Sequence, residues 1–368
     1  MNAGLRTFAQ PAGVYNATPP RVVFGPGSVS GLRDEVERLG ASRALVVTTP
    51  GRKGLGDRLA SAIGDRCAGL LPDAVSQVPI ELARSGRDKA TAAGADCLIA
   101  VGGGAATGLC KGIAYESGLP IIAVPTTYSG SEMTGFCGMT IDGVKRMHQS
   151  MAMRPSTVIY DAELSLSLPL QVSASSAMNA LAHSVDAVYL PSLSPLLAPA
   201  AIEGARVIAD TLPRLLAAPT DLGLRNEMLY GAYLAGAALT GGFAIQHAIA
   251  HMLGGSFGVE HGVAHAVVLP YVTAHLVRRA PEQLARVAEA VGTDNLAGHF
   301  WDIAAGAGLP VSLAGVGIGE DDLDRAVEIA VTADDDPHGA GNPAPVTEEA
   351  VRDILRAVAT GDRPGGPR

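Results

Sequence analysis

The stretch HAIAHMLGGSFGVEHGVAH, residues 247–265, holds four of the chain's nine histidines. They form two i,i+4 pairs, His247/His251 and His261/His265. On a helix, residues four apart share a face, so each pair directs two imidazoles to one side. Imidazoles grouped in this way suit a transition metal, proton transfer near neutral pH, or the binding of an anion. The bland alternative is a set of core histidines with no role. Four imidazoles facing one cleft are costly to bury without partners, which counts against it.

The elements that must position these groups fall into two parts. RVVFGPGS (21–28) reads as a strand and turn, GLRDEVERLG (31–40) as a helix closed by glycine, and RALVVTTPG (43–51) as a buried strand. ADCLIAVGGGAATGLCKGIA (95–114) reads as strand, glycine turn and helix, and LPIIAVPTTYSGSEMT (119–134) as a strand ending in a polar loop. Strands alternating with helices indicate a parallel sheet with crossover helices. From about residue 162, Ala/Leu-rich helical patterns follow one another over 173–190, 195–217, 221–240, 243–254, 261–278, 281–291, 321–332 and 347–359. The expected architecture is an α/β Rossmann-like parallel-sheet domain over 1–163. An all-helical C-terminal domain over 164–368 would carry the histidine cluster, with the site in the cleft between them.

Composition narrows the function classes. The chain has 368 residues, 48% of them hydrophobic, and a formal net charge of −9. That describes an ordinary globular protein and argues against nucleic acid or an anionic membrane as main partner. An anionic substrate would need locally placed cations. MNAGLRTFAQPAGVYNATPP lacks a basic segment followed by an apolar one, so no signal peptide is expected. No apolar run reaches about 18 residues, so no membrane span is expected. Cys67, Cys97, Cys110 and Cys137 show no CxxC spacing; reduced thiols in a cytoplasmic enzyme are the simplest account.

VGGGAATGLCK is not a GxGxxG fingerprint, yet Gly102, Gly103 and Gly104 lie between a buried strand and a helix. Glycines there let the backbone approach a diphosphate, with the helix N-terminus facing it. Without a ligand, the same glycines would simply make a tight turn. The loop PTTYSGSEMT (125–134) ends the next strand on the same sheet edge and adds hydroxyls. Ligands of open parallel sheets bind outside the carboxyl ends of the strands, and the two loops together favour a nucleotide.

At this point the chain resembles the iron-containing alcohol dehydrogenase family of the dehydroquinate-synthase-like superfamily. The matching pieces are FGPGS (24–28), the GGG turn with Lys111, PTTYSGSEMT (125–134), VIYDAELSLSLP (158–169), NALAHSVDAVY (179–189), HAIAHMLGG (247–255), HGVAHAVVLP (261–270) and GNPAPVT (341–347). Within the family it looks most like the maleylacetate reductases, on Asn179, ATGL (106–109) and DGVK (142–145). It departs from them in RMHQSMAMRP (146–155), and HGVAH looks closer to the alcohol dehydrogenases. The resemblance implies NADH or NADPH as cofactor, with Gly102, Gly103, Gly104, Thr107, Thr126, Thr127, Ser131, Thr49 and Pro50 as binding residues. It also implies a homodimer and a small anionic substrate. Thr49, with Arg52 and Lys53 shortly after, stands where an acidic residue would select NAD, so use of both cofactors is expected.

Metal-dependent relatives bind iron or zinc with one Asp and three His, which the resemblance projects onto position 179 and onto His183, His247 and His261. Position 179 is Asn here, and a neutral amide is a poor ligand for such a cation. Asp186 lies about 10 Å further along the same helix, too far for one coordination sphere; Glu260 stays open as a ligand. No metal is therefore expected. Hydride addition to an alkene conjugated with a carbonyl needs no alkoxide-binding metal. It needs groups to hold an enolate and an acid to protonate the α-carbon. The resemblance makes His251 the favoured proton donor, with His183, His247 and His261 as anion binders or relays, and Tyr128 lining the pocket. Lys145 and Arg154 are further candidates for a substrate carboxylate, or are solvated surface cations. The rivals are a metal-dependent alcohol or aldehyde oxidoreductase of the same fold, a dehydroquinate-synthase-like lyase, and a noncatalytic nucleotide binder. Asn179 argues against the second, and the histidine cluster against the third.

Overall fold

The computed structural model describes residues 19–142, 144–332, 341–343 and 345–365. The segment 1–18, read above as no signal peptide, lies outside them, as do Gly143 of DGVK and Ala344 of GNPAPVT. The strands are β1 Arg21–Phe24, β2 Ala44–Thr48, β3 Cys67–Leu71, β4 Cys97–Gly102, β5 Ile121–Pro125, β6 Phe136–Ile141, β7 Val144–Gln149 and β8 Thr157–Tyr160. Six of them form one parallel sheet in the order β1-β8-β5-β4-β2-β3. ALVVT, CLIAVG and IIAVP are buried along their whole length, as strands covered on both faces must be. Alternate residues serve the two faces. Val46, Ile99 and Val124 pack with Leu32, Leu59 and Ile63, while Leu45, Leu98 and Ile121 pack with Ala83, Leu109 and Ile113. The covering helices are α1 Leu32–Arg38, α2 Lys53–Ile63, α3 Ile80–Ala92 and α4 Gly104–Ser117.

The carboxyl ends of β4 and β5 are tied together. The Thr126 amide donates to the Gly102 carbonyl at 3.0 Å. Gly102 takes φ +142°, a value that favours glycine, and β4 turns there into α4. The strands β6 and β7 form a separate antiparallel hairpin, with Phe136 opposite Gln149 and Ile141 opposite Val144. The sequence reading contains no such hairpin.

The second part is helical: α5 Leu170–Ala187, α6 Ala198–Ala217, α7 Leu222–Ala238, α8 Ile245–Phe257, α9 His261–Leu276, α10 Pro281–Val291, α11 Leu296–Gly306, α12 Leu323–Thr332 and α13 Glu348–Thr360. Of these, α11 has no counterpart among the helical patterns of the sequence analysis. Helix α5 is buried from Ser173 to Ala187, the mark of a helix enclosed by others. Its neighbours include α6, α7, α8 and α9. Helix α9 begins hard against it: a Cβ on Gly262 would lie 2.7 Å from the Ser175 backbone. That closeness sets His261 beside the helix that carries Asn179 and His183. Among the described residues, no single helix is long and apolar enough to cross a membrane.

Candidate active site

A cavity of about 430 Å³ lies between the carboxyl edge of the sheet and the helical part. Gly104, Thr127, Ser129 and Ser131 line one side, from α4 and the loop after β5. Asn179 and His183 of α5, His247 and His251 of α8, and His261 at the start of α9 line the other. Lys145 of the hairpin also faces it. The cavity thus joins the glycine turn to the histidines, which the sequence places some eighty residues and more apart.

Of the expected cofactor residues, Gly104, Thr127 and Ser131 line the cavity. Gly103 has Thr127 so close that a Cβ would meet its side chain at 2.8 Å. Thr107 and Thr126 are buried beside the turn and do not line the cavity. Thr49 and Pro50 follow β2 on the same sheet edge, outside the cavity wall. The loop after β5 is held from behind by Lys111. Its buried ammonium donates to the Ser131 carbonyl at 2.6 Å, the Ser131 and Thr134 hydroxyls at 3.1 Å, and the Phe136 carbonyl at 2.7 Å. Burial brings this lysine's pKa down to about 8.

One expectation is corrected. Tyr128 does not line the pocket; it is fully buried, and its hydroxyl accepts from the Arg225 guanidinium at 3.0 Å. Past the end of β5 the loop bends, and Thr127 and Ser129 face the cavity while Tyr128 packs into the core.

The histidines form two connected groups. His183 and His247 stack with ring centroids 4.8 Å apart, and His183 Nδ1 lies 2.7 Å from His247 Nε2. His183 Nε2 is 2.9 Å from the Ser129 carbonyl, and His247 Nδ1 is 2.7 Å from Asp186 Oδ2. The second group is His251, His261 and His265, each offering one ring nitrogen within 4.8 Å of the others. His251 Nδ1, His261 Nδ1, His265 Nε2 and Asn179 Oδ1 are buried without a hydrogen-bond partner. Unpaired buried polar atoms are costly, and those of Asn179, His251 and His261 belong to residues of the cavity wall, so they mark a place where a ligand supplies the partners.

Burial pushes the pKa of His183, His251 and His265 well below the ordinary histidine value. Burial, and then the Lys145 ammonium, bring His261 down to about 3. Lys145 also depresses His251, so the ammonium acts on the two imidazoles with unpaired Nδ1 atoms. Arg154 follows the hairpin and is absent from the cavity wall.

Two residues to which the sequence assigns no role matter here. Asp186, set aside as a metal ligand, is the carboxylate behind His247. It stands at i+3 from His183 on α5, a spacing visible in the sequence. His265 is fully buried and completes the three-nitrogen group. Glu260 caps α9, accepting from the Gly262 and Val263 amides at 3.1 and 2.9 Å.

Residues 19–162 match the iron-containing alcohol dehydrogenase family, and residues 173–359 match the C-terminal part of the Fe-containing alcohol dehydrogenase family. A maleylacetate reductase of Burkholderia cepacia is 42% identical over 352 residues, which span 95% of this chain and 99% of that protein. The crystal structure of maleylacetate reductase from Agrobacterium tumefaciens superposes with a TM-score of 0.89 at 41% identity, covering 95% of this chain and 99% of that one. An iron-containing alcohol dehydrogenase from Corynebacterium glutamicum superposes with a TM-score of 0.88 at 37% identity, covering 95% and 97%.

Proposed function

The chain belongs to the iron-containing alcohol dehydrogenase family of oxidoreductases, and from that premise we propose that it reduces the carbon–carbon double bond of maleylacetate to give 3-oxoadipate. NADH or NADPH, bound at the glycine turn, supplies the hydride. One proton from the protein completes the reduction at the carbon next to the carbonyl. The observation that carries this reading is the cavity in which Gly104, Thr127 and Ser131 face Lys145 and the unpaired Nδ1 atoms of His251 and His261. Lys145 holds a substrate carboxylate. His251 donates the proton, and His261 and Asn179 hold the charge that develops on oxygen. The resting His251 is neutral, because burial and Lys145 both disfavour its imidazolium. A dianionic substrate reverses the local field and lets His251 take up the proton it then delivers.

The reaction as we propose it needs no metal. The residues at the relatives' metal positions do not fit one. Position 179 carries a neutral amide, and the facing nitrogens of His183 and His247 hydrogen-bond each other. The nearby carboxylates are engaged, Asp186 by His247 and Glu260 by the α9 amides. The His251, His261 and His265 nitrogens converge, but the ammonium that depresses His251 and His261 repels a dication there.

Oxidation of NAD(P)H on adding maleylacetate, with chelator present, tests the reading. Undiminished turnover is expected. Activity that needs stoichiometric iron or zinc would overturn it in favour of a metal-dependent alcohol or aldehyde oxidoreductase. Both cofactors are expected to serve, since Thr49 offers no carboxylate against a 2′-phosphate; a strict preference for NADH would contradict this. The enzyme is further proposed to be a cytoplasmic homodimer, to be checked by its solution mass and by cell fractionation.

A further inference from the structure

The segment between β3 and α3 reaches the cavity in a costly backbone shape. Gln77 has φ +66° and Val78 φ +40°. Among the described residues, Asp142 is the one other non-glycine residue with positive φ, and it sits in the turn of the β6–β7 hairpin, where Asp tolerates it. Val78 is β-branched, so its left-handed backbone is strained. Such strain lasts only where the surroundings over-determine it. Two anchors do so here. The Val78 side chain is buried against α4, where a Cβ on Gly108 would lie 2.7 Å from its Cγ2. Thr140 of β6 takes both carbonyls: its hydroxyl donates to that of Gln77 at 2.8 Å, and its amide to that of Val78 at 3.0 Å.

The Gln77 side chain turns the other way. It lines the cavity, and a Cβ on Gly254 of α8 would lie 3.6 Å from its Nε2. The same hairpin places Lys145. It stands opposite Thr140 in the register, so the two share a face. Its stem lies over Gly138, where a Cβ would be 2.5 Å from the lysine Cε. A Cβ on Gly255 would be 4.0 Å from the lysine Cβ. Gly254 and Gly255 follow His251 by one helical turn, on its face of α8. Gln77 and Lys145 thus meet α8 at one place beside His251, and the two glycines leave that place open.

We propose that Gln77 is a substrate-binding residue: its amide donates to the carboxylate that Lys145 holds, and the Gln77–Val78 turn fixes it there. The proposal rests on the reading of Lys145 as a carboxylate ligand, and not on maleylacetate as the acid. A primary amide has two N–H donors and no charge. Beside one ammonium it adds hydrogen bonds to a carboxylate without a second positive charge. Glycine would take the backbone shape at position 77 without strain, but would have nothing to donate. The strain is what it takes to carry a donor into the cavity. The pair selects an acid over a neutral aldehyde or alcohol of the same length.

Two variants test this. Gln77→Glu keeps the size and shape of the side chain and puts acceptors in place of the donors, facing the substrate carboxylate. KM for maleylacetate should rise about 10- to 100-fold, the scale of a hydrogen bond to a charged group, with KM for NADH within about twofold. Gln77→Gly removes strain and donor together, so KM should rise as much while Tm falls no lower than in the wild type. Calorimetric titration with adipate, a saturated diacid of the same chain length, repeats the comparison without turnover; its affinity should fall about 10-fold or more in both variants. Unchanged KM for maleylacetate and unchanged adipate affinity would overturn the proposal. A rise confined to KM for NADH would overturn it too, by placing Gln77 at the cofactor. A Gln77→Gly protein that melts lower would refute the strain, and Gln77→Glu would then decide the contact alone. A wild type inert towards maleylacetate that still binds adipate more tightly than either variant would refute the substrate and support the subsite.

Discussion

Acid should unfold this protein in a window set by its histidines and not by its carboxylates. His251, His261 and His265 are buried in one cluster, and burial lowers the pKa of each. An imidazole whose pKa falls on folding binds fewer protons in the fold than in the unfolded chain. Its stabilisation is complete above the unfolded value of about 6.5 and is lost as pH falls below it. His261, brought down to about 3, gives the scale. At pH 5.5 it costs about 1.4 kcal/mol relative to pH 7.5, and at pH 4.5 about 2.7 kcal/mol. The three groups repel one another once charged, so none gains its proton cheaply in the fold. His251 and His265 shift in the same direction, so the cluster loses more at pH 5.5 than His261 alone, against the about 5–15 kcal/mol typical of a folded protein. Carboxylates with ordinary values begin to act only about one to two units lower. Urea unfolding at pH 7.5 and 5.5 measures the loss, and His261→Gln should reduce it by about 1.4 kcal/mol. A midpoint that does not move between the two pH values would refute the burial argument for all three.

Three further outcomes are expected. Lys145→Gln should raise KM for maleylacetate by about 10- to 100-fold by removing a charge-assisted contact, and should move the alkaline limb of kcat upward, because it relieves the repulsion that lowers His251 and His261; an unchanged KM would remove Lys145 from the substrate site. Gly103→Ala places a Cβ 2.8 Å from the Thr127 side chain, so cofactor affinity should weaken by about 1–3 kcal/mol, read by fluorescence titration with NADH; equal affinity would separate the glycine turn from the cofactor. Asn179→Asp should lower activity and take up zinc, read by metal analysis after dialysis, because it supplies an anionic ligand one turn from His183; equal zinc content in both proteins would count against the account of position 179.

Much of this was legible in the sequence, for identifiable reasons. The strands were visible because ALVVT, CLIAVG and IIAVP are buried on both faces and so read as unbroken apolar runs. The hairpin of β6 and β7 was not. FCGMTI and VKRMHQ carry no clean alternation, and their pairing stands apart from the main sheet. Helix α11 escaped because LAGHFWDIAAG is short and holds two glycines. The histidines declared themselves through their i,i+4 spacing. Tyr128 misled because a loop sequence lists polar groups without saying which side each faces. Asp186 was measured along α5 against residue 179, where it is distant. Its importance depends on His247 arriving from α8, a tertiary contact that spacing within one helix does not contain.

The chain's four lysines fall into three environments. Lys53 and Lys89 are half-exposed and paired with Asp57 and Asp73 on the surface. Lys111 is sealed beneath the loop after β5 with its ammonium surrounded by four oxygens. Lys145 alone is both half-buried and open to the active-site cavity. Amine-directed chemistry therefore has a built-in contrast on this enzyme. Two sites take up label with no bearing on turnover, one is out of reach, and one reports occupancy of the cavity. Counting labelled lysines with and without an anion in the cleft would read ligand binding directly, without an engineered probe.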